Sequence, residues 1–285
     1  MSHKVRFQRQ SQAEFEKHFS ALCTSRNAWE LWSDFITISA AAIANAVDQE
    51  GPTHDEREQE YLRLINKYDL DEQTALSNLF AMTALALEEN PRQDFLGEMF
   101  MTLNLGSHWH GQFFTPYHIC ELMSKMAMSD VGKYIEARGW VGISDPCCGA
   151  GALLIAARNE MERQGYGSTE TLYIAQDIDR TAALMCYVQL SLLGCAGYVV
   201  VGNSLTSPVV RPAGSSLLIA PQPEQEIWLM PATILETWQA RVQWDRFRLV
   251  LASVIDDHTA DAPVPHREEA TLPLNETGSG QLTLF

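Results

Sequence analysis

Apolar residues recur at helical spacing from Ser11 to Leu105, and the pattern predicts a succession of amphipathic helices. The first runs from Glu14 to Leu22 and the second over the long apolar stretch from Ala28 to Val47. Gly51-Pro52-Thr53 breaks that stretch, and Thr53 with Glu56 three residues on has the reciprocal capping pattern of a new helix. A further helix is expected from Asp71 to Glu89, carrying Leu76, Leu79, Phe80, Leu85 and Leu87, with Asn90-Pro91 as its stop. Residues 1–104 therefore read as an all-helical domain, without an internal repeat.

Beyond Leu105 the texture changes to short apolar runs that alternate with helical stretches. Val141 to Ser144 reads as a strand, Cys148-Gly149-Ala150-Gly151 as a turn and Ala152 to Gln164 as a helix. Leu172 to Ala175, a helix from Arg180 to Leu193, and Tyr198 to Val201 repeat the pattern. Strand alternating with helix predicts an α/β fold with a parallel sheet of Rossmann type, over residues 105–257. In such sheets a nucleotide-like ligand sits at the carboxyl ends of the strands. Residues 207–231 are proline-rich and fit no element, whereas Arg248 to Ala252 reads as one more buried strand. Residues 258–285 read as a flexible acidic tail with an apolar end.

Composition narrows the choices. The chain has 285 residues, 46% of them hydrophobic, enough for a sizeable core. Its net charge of −16 has the wrong sign for phosphate neutralisation over the whole surface, so any DNA contact must be local or helped by a partner. Arg241, Arg246 and Arg248 are the candidate local cations, and read equally as ordinary surface charge. Six cysteines show no C-x-x-C pair, which favours reduced thiols in a cytoplasmic protein and offers no metal site. No apolar run reaches about 18 residues, so no membrane span is expected.

Asp145-Pro146-Cys147-Cys148-Gly149-Ala150-Gly151 follows a strand and opens a helix, the context in which a glycine loop brings backbone N–H groups close to a ligand. Asp177 closes the next strand, where a carboxylate accepts from ribose hydroxyls, and reads alternatively as a helix cap. Asn203 lies in the Gly202-Asn203-Ser204-Leu205 turn after the third, where an amide can meet a base edge. Upstream stands Gly111-Gln112-Phe113-Phe114-Thr115-Pro116, whose Thr115-Pro116 is also an ordinary helix start.

In this order the elements resemble the class I S-adenosylmethionine-dependent DNA N6-adenine methyltransferases, most closely those akin to the modification subunit of type I restriction-modification systems. The resemblance implies that Phe114, Thr115, Pro116, Asp145, Pro146, Cys147, Gly149, Gly151, Asp177, Ile178, Asn203 and Ser204 bind S-adenosylmethionine. It further implies a DNA partner and a specificity or methyltransferase partner subunit. One piece is missing. The family's Asn-Pro-Pro-aromatic tetrapeptide, which holds the target amino group and stacks on the flipped base, occurs nowhere in the 285 residues. Alignment on the strand before it puts Ser253 and Asp256 at the degenerate catalytic positions, or leaves base stacking to the insertion with Trp228, Pro231, Trp238 and Trp244. A binding module that keeps the cofactor pocket without catalysis is the alternative reading.

The last five residues form an apolar island behind Gly278-Ser279-Gly280. Gln281, Leu282, Leu284 and Phe285 resemble the Q-L-x-L-F motif by which bacterial replication and repair proteins bind the sliding clamp. A clamp tether would hold an acidic protein beside DNA. The alternative is a terminal strand or helix that packs on its own domain.

Overall fold

A computed structural model describes residues 10–24, 26–105, 114–209, 225–234, 237–244, 247 and 281–283. Helices α1 (Gln10–Leu22) and α2 (Ala28–Val47) follow the apolar periodicity. Asn27 starts α2 by accepting through Oδ1 from Trp29 N at 2.9 Å and Glu30 N at 3.2 Å. The capping box expected ahead of α3 (His54–Ile65) does not form. Thr53 Oγ1 instead accepts from Arg57 Nη1 at 2.7 Å, because the buried guanidinium, which also pairs with Asp48, needs that acceptor more than the solvated helix end does. A capping box is present one helix later, where Asp69 and Glu72 bond reciprocally at the start of α4 (Leu70–Glu89). Asp94 caps α5 (Phe95–Thr102).

Phe15, Phe19, Trp32, Phe35, Phe95 and Phe100 pack mostly edge to face, with Phe15 and Phe95 at 5.5 Å and 83°. This aromatic knot is continuous with the apolar face of the sheet. One cluster of buried residues runs from Phe15 and Trp32 through Leu184 and Val188 to Ile143, Tyr173 and Val199. Helical segment and sheet thus share a core across position 104.

After α6 (Tyr117–Ala127) and α7 (Val131–Arg138), β1 (Val141–Asp145), α8 (Ala152–Arg163), β2 (Thr171–Asp177), α9 (Arg180–Leu192) and β3 (Ala196–Val201) alternate as the pattern predicts. β1, β2 and β3 pair in parallel, with Asp145 opposite Ala175 and Asp177 opposite Val201. Leu172, Ile174, Ala196, Tyr198 and Val200 face the other side of the sheet and pack on Trp238. Both faces are covered, which is why these strands read as unbroken apolar runs.

The proline-rich stretch ends in an element that its composition did not reveal. β4 (Glu226–Leu229) lies antiparallel on β3 and leads into the single turn α10 (Pro231–Ile234), and residues 237–244 are helical. The terminal residues also depart from expectation. Gln281–Thr283, expected at the free end of a solvated tail, form β5, parallel to β1 with Gly142 opposite Gln281 and Ser144 opposite Thr283. An otherwise unpaired β1 edge offers backbone donors and acceptors that a short strand satisfies. Sheet order among the described residues is β4-β3-β2-β1-β5. The expected strand over 248–252 lies outside the described residues.

Candidate cofactor site

The carboxyl ends of β1, β2 and β3 bring together Asp145, Asp177 and Asn203, from three separate stretches of sequence. Between β1 and α8 the chain turns through Gly149, at φ +52°, and Gly151, at φ +96°. A side chain at either glycine would be strained and crowded. A Cβ on Gly149 would lie 3.0 Å from the Phe114 ring, and one on Gly151 would lie 2.8 Å from Cys186 Sγ. The loop is pressed between an aromatic ring on its outer side and α9 beneath.

Asp177 accepts from Gly149 N through Oδ2 at 2.8 Å and from Asp179 N through Oδ1 at 2.9 Å. The carboxylate therefore fixes the glycine turn as well as standing at the strand end. Asp179, not Asp177, caps α9. Asp145 is only 2% exposed, and its Oδ1 accepts from Cys147 N at 3.0 Å. Burial, with the nearby Asp177 charge, pushes its carboxyl up to about 6, and burial raises Asp177 as well. A buried carboxyl and a half-buried one, both with their charge disfavoured, suit a ligand that brings positive charge.

Asn203 Oδ1 accepts from Leu205 N at 2.9 Å and Thr206 N at 3.3 Å, an Asx turn that shapes the chain after β3. Ser204 Oγ lies 3.8 Å from Cys147 Sγ, so the first and third strand ends meet across the site. Pro146 is half-buried, and Cys147 and Ile178 are exposed on the same rim. Upstream, Phe114 packs on Phe100 at 5.4 Å. Pro116 rather than Thr115 holds the capping position of α6, and Thr115 reaches the helix only through its carbonyl, which lies 3.9 Å from Cys120 Sγ. Gly111, Gln112 and Phe113 lie outside the described residues.

The buried tryptophans of the insertion do not supply a base platform at this rim. Trp228 and Trp238 are core residues, 1% and 2% exposed. Trp238 Nε1 donates to Ser168 O at 2.7 Å, and Arg241 donates to Thr169 O while lying over the Trp238 ring. Both acceptors immediately precede β2, so this helix is anchored at the end of the sheet opposite Asp145 and Asp177. Trp244 is 64% exposed and stacks on Phe247 at 5.6 Å, on that same helical stretch. Arg241 is thereby a structural cation rather than a free phosphate contact. Ser253, Asp256, Leu284 and Phe285 lie outside the described residues.

Comparison with known proteins places the chain in a family. The sequence model of the N-6 DNA methylase family matches residues 94–249, more than half of the chain. The chain belongs to the N-6 DNA methylase family. Its cofactor is S-adenosylmethionine. A protein described as a class I S-adenosylmethionine-dependent methyltransferase from Listeria monocytogenes is similar in structure, with a TM-score of 0.40 and 16% identity. That similarity covers 71% of this chain and 56% of the other, so this chain spans little more than half the length of that neighbour. No curated protein matches the sequence.

The residues present fit the cofactor. Gly149 leaves space where a Cβ would collide, and buried Asp145 would gain from a cationic amino-acid head. Among the described residues no group of three or more His, Cys, Asp or Glu is placed to hold a metal ion, and no helix is long and apolar enough to cross a membrane.

Proposed function

We propose that this chain holds S-adenosylmethionine at the β1–α8 loop and serves methyl transfer to the exocyclic amino group of adenine in DNA. The observation that carries the reading is the convergence of buried Asp145, the Asp177-held Gly149 turn and the Asn203 turn at one end of a parallel sheet. When bound, the cofactor supplies an electrophilic methyl group. In this reading Asp145 neutralises the cationic head of the ligand, and Asp177 keeps lone pairs for the ribose while fixing Gly149. Asn203 offers its amide nitrogen to the base edge, and Phe114 and Ile178 provide apolar walls. Ser253 and Asp256 are the proposed acceptor-side groups, and any DNA contact is local because the chain carries a net charge of −16.

The test is label transfer from methyl-labelled S-adenosylmethionine to mixed-sequence DNA, with Asp145→Ala as control. Methyladenine that disappears in the variant supports the reading. A second reading, cofactor binding without catalysis, rests on the missing Asn-Pro-Pro-aromatic tetrapeptide. It predicts a cofactor binding isotherm with no transferred label, with or without an added partner subunit.

The clamp tether is a further part of the proposal, supported by the sequence from Gln281 to Phe285. Because Gln281–Thr283 pair with β1, clamp engagement requires that strand to leave the sheet. Capture of the full chain by a bacterial sliding clamp, abolished by Leu284→Ala with Phe285→Ala, tests it.

A further inference from the structure

A buried polar chain that the sequence pattern does not reveal ends on the cofactor loop. Gln189 is wholly buried in the last turn of α9. Its Nε2 donates to Asp94 Oδ1 at 2.7 Å and to Ala150 O at 2.9 Å, while its Oε1 accepts from Leu96 N at 3.0 Å. Asp94, only 3% exposed, also accepts from Gly97 N through Oδ1 at 2.9 Å and so caps α5. A Cβ on Gly97 would lie 2.0 Å from Asp94 Oδ2, so the carboxyl is seated against a bare α-carbon. Both amide hydrogens and the amide oxygen of Gln189 are thereby spent on three backbone or carboxyl partners.

Ala150 stands between the two left-handed glycines. The C=O and N–H of one peptide unit point in opposite directions, so a carbonyl fixed against α9 fixes the following amide. That amide, Gly151 N, donates to Cys148 O at 2.8 Å and closes the turn. The orientation of the loop's backbone is thus set from below by a wholly buried side chain of α9.

We propose that Gln189 is a positioning residue for S-adenosylmethionine binding, and that through Gln189 and Asp94 the first turn of α5 forms part of the cofactor site. This rests on the reading of the β1–α8 loop as the cofactor site. Loss of the Ala150 bond leaves the peptide between Ala150 and Gly151 held from one side, by the Gly151 N–Cys148 O bond, and the loosened loop then pays its ordering cost when the ligand arrives.

The test uses the full chain and S-adenosylmethionine titrated calorimetrically into wild type, Gln189→Met and Gln189→Glu, each at a temperature where circular dichroism shows it folded. Gln189→Met keeps the volume and removes the donors, and the expected dissociation constant rises about tenfold. Gln189→Glu keeps the acceptor for Leu96 N but cannot donate while ionised. The groups facing it are Asp94 on α5 and, beyond Asp94, Glu98. Both disfavour ionisation of a glutamate there, so the ratio of its dissociation constant to that of wild type should fall as the pH is lowered from 8 to 6. A purely structural amide would not produce that pH profile. Asn159→Ala removes a comparable amide that binds Pro91 O and Tyr117 Oη without touching the loop, and should leave cofactor affinity within twofold. Wild-type binding matched by Gln189→Met, or a flat ratio for Gln189→Glu, overturns the positioning role. Absence of binding by wild type itself overturns the cofactor reading and this inference together.

Discussion

The Asp177 carboxylate at the end of β2 accepts a hydrogen bond from the Gly149 amide at 2.8 Å, and so ties the second strand to the turn that follows the first. A bond from a backbone amide to a charged, part-buried acceptor contributes more than a neutral one, on the order of 1.5–3 kcal/mol. Asp177→Ala should therefore weaken S-adenosylmethionine binding by tenfold or more, since the loop loses its anchor together with a ligand acceptor. Isothermal calorimetry measures the loss. Affinity within twofold of wild type would show that the loop holds its shape without this bond.

Asp145 predicts a dependence on pH. Its carboxyl is raised from 3.8 to about 6, chiefly by burial. Between those values the native state holds a proton that the unfolded chain releases, so this group's contribution to stability declines as pH rises through the window. Relative to Asp145→Asn, which cannot titrate, wild type should lose on the order of 1–3 kcal/mol of unfolding free energy between pH 4.5 and 7. Cofactor affinity should move the other way, rising with pH through about 6, because the ionised carboxylate receives the cationic head. Urea unfolding and calorimetry across the range check both slopes.

Gly151 combines a left-handed backbone with contact on α9. An alanine there meets Cys186 Sγ at 2.8 Å and adopts φ +96°. Strain and overpacking together should cost about 2–4 kcal/mol of stability. Addition of Cys186→Ala should relieve the Sγ clash and leave the backbone part with the 3.3 Å contacts on Cys186 Cα and Cβ, so the double variant should fall between Gly151→Ala and wild type. Equal stability of the single and double variants would assign none of the cost to the Sγ clash.

The tryptophans of the insertion should separate cleanly. Trp238→Ala removes a ring buried against Leu172, Ile174 and Tyr198, and about 3–5 kcal/mol of stability should go with it. Trp244→Ala, at an exposed ring, should change stability by no more than about 0.5 kcal/mol and leave cofactor affinity unchanged. Chemical denaturation of the two variants decides the contrast.

β5 makes a prediction about exchange. A chain ending at Gly280 lacks the strand opposite Gly142, Ile143 and Ser144, so amide hydrogen exchange in β1 should accelerate there and remain slow in β3. Unaltered protection in β1 would show that the edge is covered by something other than β5.

Local signals made much of the fold legible. Helix α2 and the strand-turn-helix units around Asp145 and Asp177 obey spacing and glycine rules that act within about ten residues, and their observed bounds lie within a few residues of those expected. Glycines at 149 and 151 announced the loop because few other residues tolerate positive φ. What only the tertiary structure decided lies between residues far apart. Nothing near Gln189 in sequence marks it as the partner of Ala150, 39 positions away, or of Asp94, 95 positions away. The same holds for Phe114 over Gly149, for Trp238 under the sheet, and for Gln281–Thr283 on the edge of β1. A three-residue polar and apolar alternation has no fixed partner until a strand edge with unmet hydrogen bonds is brought beside it, and only the folded sheet creates that edge.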